Sequence, residues 1–328
     1  MLINRIADVF FILAIVILLL NFGTTDYLLI FSFAPLVQQQ SLSLLGLELP
    51  LLTAVTIFLF LGAAGKSAQL GFHTWLPDAM EGPTPVSSLL HAATMVTAGV
   101  FLLLRCSPLF QYTPTILVLV TLIGALSAFF FALVGVFQYD IKKVIAYSTC
   151  SQLGYMFMSC GLSNYSAAAF HLFNHAFFKA LLFLGAGCVI HSFLDEQDMR
   201  KMGNALSFLP FVYLTMLIGS IAILGLPYLS GFYSKDLLLE LALVRFSIDS
   251  FFVYSLAVLA AFFTSIYSVR LLLLVFFSNN FSLSNSYRAI SLLETTNCMY
   301  FALLILSLSS LFSGYLFVDL FTGLGSIF

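Results

Sequence analysis

Long apolar runs set the first limit on what this chain can become. A helix that crosses the hydrocarbon core of a bilayer needs ~20 consecutive, mostly apolar residues. Nine runs of that kind read along the sequence, at about 3–22, 50–80, 84–105, 113–137, 142–162, 166–192, 206–246, 250–277 and 290–318. Only 8% of the 328 residues are charged and 61% are hydrophobic, whereas a soluble domain carries about 25% charged residues. So few charges cannot cover a water-facing surface. The expected fold is an all-α polytopic membrane protein of about nine transmembrane helices.

Two of the runs are too long for one straight helix. The run 50–80 contains Gly62, Gly65, Lys66 and Gly71, and the run 206–246 contains Gly225, Pro227, Gly231 and Lys235. Gly and Pro free backbone groups that a cavity or a side chain must then satisfy, so both runs predict broken helices. With residue 1 on side X, nine spans put Arg5, Lys142, Lys143, Arg200, Lys201 and Arg288 on that side, against Arg105 and Arg245 on side Y. Positive charge marks the cytoplasmic face or its organellar equivalent, so the N-terminus is expected on the matrix or cytoplasmic side. The two broken, Lys-bearing helices then run in opposite senses, the pattern of an inverted repeat.

Several ionisable residues sit where the bilayer penalises them. A Lys at mid-span costs ~2.5–3.5 kcal/mol on insertion scales. Lys66, Lys179 and Lys235 lie inside apolar runs, as do His91, His171 and His175. One such residue could snorkel or pair structurally; six together point to a wetted polar path. His171, His175 and Lys179 are spaced i, i+4, i+8 and share one helix face. Such spacing could hold zinc, but zinc needs three or four ligands and no Cys or carboxylate is evidently placed to complete a set. His titrates near neutral pH and a buried Lys is readily switched between charged and neutral forms, so the pattern suits proton relay. Asp8 opens the first span, Asp78 and Glu81 end the second, Asp140 precedes "IKKVIAYS" as an N-cap candidate, and Asp236 follows Lys235.

Other classes are excluded. The net charge of −2 with no basic run speaks against a nucleic-acid partner. Cys106, Cys150, Cys160, Cys188 and Cys298 form no CxxC pair and read as small buried thiols, four of them in apolar segments. No Walker A loop, dinucleotide fingerprint or iron–sulfur cysteine set is present. Residues 1–22 hold an apolar run that is long, lacks a small-residue cleavage site and carries Asp8, so no cleavable targeting segment is expected, and no Arg-rich leader is seen. Synthesis beside its own membrane, in a bacterium or an organelle, is expected.

Four blocks strongly resemble the subunit-5 family of respiratory complex I (NADH dehydrogenase), whose members have an antiporter-like fold. They are "GKSAQLGFHTWLPDAMEGPTPVSSLLHAATMVTAGVFLLLR" (65–105), "DIKKVIAYSTCSQLGYMF" (140–157), "AAFHLFNHAFFKALLFLGAG" (168–187) and "LSGFYSKD" (229–236). The resemblance implies roles by position. Lys66 is similar to the central lysine of the family's first broken helix, with His91 on the next helix beside it. Lys142, His171 and His175 match connecting residues of the hydrophilic axis. Lys235 with Asp236 matches the exit-side lysine of the second broken helix, and Asp8 the acidic residue of an earlier helix. Lys179 joins them as part of the same relay.

The family's chains are longer at both ends. Residues 1–105 are therefore expected to be the last three helices of a first antiporter-like repeat, 106–277 a complete second five-helix repeat, and 278–328 a C-terminal helix and tail. The chain looks like the second piece of a split or truncated subunit, and a companion polypeptide would bring the missing helices and the Glu that pairs with Lys66. The resemblance further implies a proton-translocating role in the membrane arm, partners among the other complex I membrane-arm subunits, and bound membrane lipids. NADH, FMN, iron–sulfur clusters and quinone would lie on other subunits. A mitochondrial inner membrane is expected, with a bacterial inner membrane as the alternative. Two competing readings are the large subunit of a multi-subunit sodium/proton antiporter and a non-conducting scaffold of the membrane arm.

Overall fold

The computed structural model describes residues 2–38, 40–44, 46–90, 94–245, 248–278 and 297–323. His91 and Arg288 lie outside the described residues. Helix α1 (Leu2–Phe22) packs along α3 (Leu51–Lys66). Small residues allow the close approach: a Cβ at Gly62 would stand 3.1 Å from the Cβ of Phe11. The link between them carries structure of its own. Asp26 accepts a hydrogen bond from Leu28 N at 3.2 Å and starts a short helix α2 (Tyr27–Val37), too short to cross a bilayer. An antiparallel hairpin follows, β1 (Ser41–Leu44) with β2 (Leu47–Pro50), turning at Gly46 with φ of 83°.

The first expected break falls directly after Lys66. Ala68 adopts a φ of 48° and Gly71 a φ of 94°, so the chain leaves the helix and re-enters short turns at Trp75–Asp78 and Ala79–Glu81. The freed backbone is satisfied locally, as a membrane interior demands. Trp75 Nε1 donates to Gly65 O at 3.0 Å, and Ser67 Oγ donates to Val96 O at 2.7 Å. Helical turns at Thr84–Ser88 and helix α4 (Thr97–Arg105) follow.

Helices α5 (Pro114–Phe137), α6 (Ile141–Gly161), α7 (Tyr165–Ser192) and α8 (Pro210–Leu224) carry the chain to the second break. Gly225, with φ of 86°, ends α8, and the chain resumes as a π-helical turn at Phe232–Asp236 that runs into α9 (Leu237–Val244). Helices α10 (Ile248–Leu272) and α11 (Asn297–Thr322) complete the described chain. Among the described residues, five helices are long and apolar enough to cross a membrane by length and composition: Leu2–Phe22, Pro114–Phe137, Tyr165–Ser192, Asp249–Phe277 and Cys298–Thr322.

Helix α6 is enclosed by its neighbours. All its residues except Lys143 and Tyr147 are buried, although it is less apolar than its neighbours. Helices α5, α7, α9 and α10 pack around it. The α5–α6 seam is held close by glycines, since a Cβ at Gly154 would lie 2.6 Å from Ala128 N and 2.7 Å from Gly124 O. Outward faces are apolar, with Phe251, Phe252 and Phe262 exposed on α10 and Phe301, Phe312 and Leu316 on α11. Cys106, Cys150, Cys160 and Cys188 are buried thiols, as expected, and Cys298 is exposed. Asp140 stands at the N-cap position of α6 but makes no capping bond; it turns to Lys143 at 3.0 Å instead.

Candidate functional site

The 3.6-residue period of α7 brings His171, His175 and Lys179 onto one buried face, with 1%, 0% and 0% exposure. Two His rings four residues apart lie 6.3 Å between centroids. Facing them on α6 are Ile145, Ser148 and Gln152, again spaced to share one side. Lys179 Nζ donates to the Ser148 hydroxyl and to Ile145 O, the latter at 3.5 Å. His171 Nε2 lies 3.1 Å from Gln152 Oε1, and Nδ1 lies 2.9 Å from Ser234 Oγ on the π-helical turn.

This geometry lets His171 hold either charge state. With the amide oxygen towards the ring, Gln152 selects the Nε2–H tautomer of the neutral imidazole, and Nδ1 accepts from the Ser234 hydroxyl. If Nδ1 gains a proton it becomes a donor, and the Ser234 hydroxyl rotates to accept. Its own hydrogen then turns to Ser230 O, 3.2 Å away. No heavy atom need move.

Lys235 is 1% exposed. Its Nζ donates to Thr264 Oγ1 at 3.0 Å and to Ile223 O at 3.3 Å, and lies 5.6 Å from the centre of the Tyr155 ring. Ile223 is in the last turn of α8, where the break leaves carbonyls without helical partners and the helix dipole is negative. The broken helix thus supplies the counter-field for a buried ammonium. Asp236, adjacent in sequence, does not pair with Lys235. It is partly buried and points to Gly225, where a Cβ would stand 3.3 Å from its Oδ1. Among the described residues neither Lys179 nor Lys235 makes an ion pair with a carboxylate.

Lys142 enters from the start of α6. It is 5% exposed and donates to Gly82 O at 3.1 Å, tying α6 to the turn before Thr84. A second polar link ties α5 to the first break: Ser127 Oγ donates to Gln69 Oε1 at 2.6 Å.

Lys66 has a carboxylate partner within this chain. It pairs with Asp8 at 2.7 Å, and both side chains are about one-third exposed, at 35% and 34%. The cause is the close packing of α1 on α3, which sets Asp8 opposite the last residue of α3. Asp8 and Lys66 therefore form one cluster, and Lys142, His171, His175, Lys179 and Lys235 lie in or beside a second.

The sequence reading missed the uncharged members: Ser148, Gln152, Ser234, Thr264, Tyr155 and Tyr267. A faint signal exists in "STCSQLG", a polar stretch in mid-span, but neutral hydroxyls and amides do not announce themselves as charges do. Among the described residues no three His, Cys, Asp or Glu side chains gather as a metal set.

Comparison with known proteins places this geometry. The family model for the transmembrane part of the NADH:quinone oxidoreductase/Mrp antiporter proteins matches residues 1–264. NADH-ubiquinone oxidoreductase chain 5 of Acanthamoeba castellanii is 55% identical over 99% of this chain and 48% of its own length. The protein of the same name from Chondrus crispus is 54% identical over the whole of this chain and 50% of its own. The chain thus spans about half the length of the curated relatives it matches. A solved structure, the Mrp complex from Dietzia sp. DQ12-45-1b, superposes with a TM-score of 0.80 at 28% identity, over 96% of this chain and 33% of that one. With a family match over most of its length and the antiporter-like fold beneath it, the chain belongs to the NADH:quinone oxidoreductase/Mrp antiporter transmembrane family.

Proposed function

We propose that this chain is the proton-translocating second part of a complex I membrane-arm subunit. One observation carries the reading: a set of buried polar groups in which Lys179 donates to Ser148, His171 meets Gln152 and Ser234, and Lys235 donates to Thr264, with Lys142 buried at the start of α6. Each cation in it is held by neutral acceptors, so none is locked by a permanent counter-ion. A change of field from outside can therefore move a proton with little structural work. The driving field would come from redox chemistry on other subunits, which would carry NADH, FMN, iron–sulfur clusters and quinone.

The same reading assigns residues 1–105 to an incomplete first repeat, 106–277 to a complete second repeat and 278–328 to a terminal helix and tail. It places the chain in the mitochondrial inner membrane with its N-terminus on the matrix side, among other membrane-arm subunits and lipids. A companion polypeptide would supply the remaining helices of the first repeat, and its Glu would join the Lys66–Asp8 pair as a third member. His91 would serve the Lys66 site, and Asp236 would line the exit side.

The likeness to an Mrp complex supports a second reading, a large subunit of a multi-subunit sodium/proton antiporter. Inverted or sealed membrane vesicles from the source organism separate the two. NADH-driven acidification in sodium-free medium supports the complex I reading. Cation-dependent proton exchange without NADH, with no NADH-driven acidification, overturns it.

A further inference from the structure

Helix α11 presents two unlike sides. Phe301, Phe312 and Leu316 are exposed, whereas Ser307, Ser310 and Ser313 are buried. Their spacing of three keeps the hydroxyls near one face, and α11 packs on α7, α8 and the π-helical turn. Ser307 and Ser310 keep their hydrogen bonds inside α11, on Leu304 O and Ser307 O, both at 2.8 Å. Ser313 alone of the three donates outside its helix, to Asn174 Oδ1 on α7 at 2.9 Å. Beside it, Gly314 lets α11 meet the second break: a Cβ there would stand 2.5 Å from Ser230 Cα.

Asn174 is fully buried, three residues after His171 and one before His175. Its Nδ2 donates to Ser230 O at 3.4 Å. That carbonyl can only accept, so it fixes the amide. Nδ2 faces the break and Oδ1 faces α11, where the Ser313 hydroxyl must be the donor. Ser230 O also receives the Ser234 hydroxyl, at 3.2 Å. Ser234 Oγ is in turn 2.9 Å from His171 Nδ1. Two hydrogen bonds leading from α11 therefore end on the carbonyl that Ser234 needs whenever it accepts from a protonated Nδ1.

We propose that Ser313 and Asn174 are positioning residues: they hold Ser230 O as the acceptor for the Ser234 hydroxyl, so that α11 sets the hydrogen bonding of His171 through Ser234. The inference rests on the proton-translocating reading above and adds to it a part for the terminal helix, which that reading leaves outside both repeats. Neither residue takes or gives a proton. Ser230 lies between the helix end at Gly225 and the π-helical turn, and Asn174 anchors its carbonyl from outside both. Once the Ser313 donor is lost, the Asn174 amide is held at one end only, and the aim of Ser230 O towards Ser234 loosens.

The test uses the complete membrane complex from the source organism. The readouts are NADH-driven proton transport in sealed vesicles and the thermal midpoint of the purified complex. Ser313→Ala leaves Asn174 Oδ1 buried without its donor, so both should fall, transport by roughly 2- to 10-fold, the worth of one such hydrogen bond. Ser313→Thr keeps the hydroxyl and should restore both. Ser313→Ala combined with Asn174→Leu removes both partners of the bond at similar volume, so the midpoint should recover while transport stays low. Natural transport in Ser313→Ala overturns the proposal. So does transport that recovers with the midpoint in the double variant, which would reduce both residues to packing, and so does Ser313→Thr behaving like Ser313→Ala. Normal transport in Lys235→Ala overturns the underlying reading instead, whatever Ser313→Ala does.

Discussion

Lys179 offers a case in which stability and function should part. Its ammonium is fully buried and held by the Ser148 hydroxyl and, at 3.5 Å, by Ile145 O. No carboxylate pairs with it among the described residues. A lysine at such depth costs ~2.5–3.5 kcal/mol on insertion scales. Hydrogen bonds from a charged donor return ~1.5–3 kcal/mol, and one of these two is long. The residue is therefore close to neutral, or unfavourable by up to ~2 kcal/mol. Lys179→Met keeps the length of the side chain and removes the charge. We expect the purified complex to melt at the same temperature or slightly higher, consistent with the usual outcome when buried ions are replaced by apolar residues of similar volume. NADH-driven proton transport in sealed vesicles should fall to near background. A variant destabilised by about 3 kcal/mol or more would show that Lys179 is a structural strut, and the argument for a relay through it would fail.

Asp8→Asn removes the partner of Lys66. The pair is one-third exposed, so about 1 kcal/mol of destabilisation is expected, with Asp8→Glu restoring it; calorimetry of the complex checks both. Gly154→Val drives a side chain into the backbone of α5 at Ala128 and Gly124. It should cost about 3 kcal/mol and lower the amount of assembled protein, read by quantitative blotting of membranes. In the loop after α7, Lys201 holds the Glu196 carboxyl below its usual range and Arg200 does the same for Asp198. Carboxyls depressed in the folded state stabilise it above their unfolded pKa, about 4, and lose that contribution as pH falls through the lower folded values. Cleavage of this loop by an acid protease should therefore rise as pH drops below about 4, and Lys201→Ala should raise cleavage already above that pH and flatten its dependence on pH. An unchanged profile in Lys201→Ala would remove the ion pair from the account.

Much of the architecture was legible because a bilayer punishes deviations. Gly225 and Pro227 inside an apolar run, with Lys235 beyond them, could be accommodated only by a broken helix, and that is what forms. The i, i+4, i+8 spacing of His171, His175 and Lys179 likewise left one face for all three. The uncharged partners were illegible for the opposite reason. Ser148 and Gln152 are unremarkable in a helix, and their value lies in facing α7, a tertiary fact. The Lys66–Asp8 pair was hidden because it depends on α1 meeting α3 in one register, set by Gly62 and Gly65 against Ala7 and Phe11. Helix α2 and the hairpin fell below the length that flags a span, and Gly46 was the main local hint of the turn. The second break resolves into a lysine that caps the helix end before it, a relation no linear spacing expresses.

The central claim is that the buried polar set that includes Lys235 carries protons. The most direct measurement is the ratio of protons moved to NADH oxidised in sealed vesicles containing the complete complex, compared between the natural chain and Lys235→Ala. The account predicts that NADH oxidation by uncoupled vesicles persists while the ratio falls. A ratio unchanged in Lys235→Ala, with the complex fully assembled, would contradict it and leave the chain as a scaffold for pumping done elsewhere.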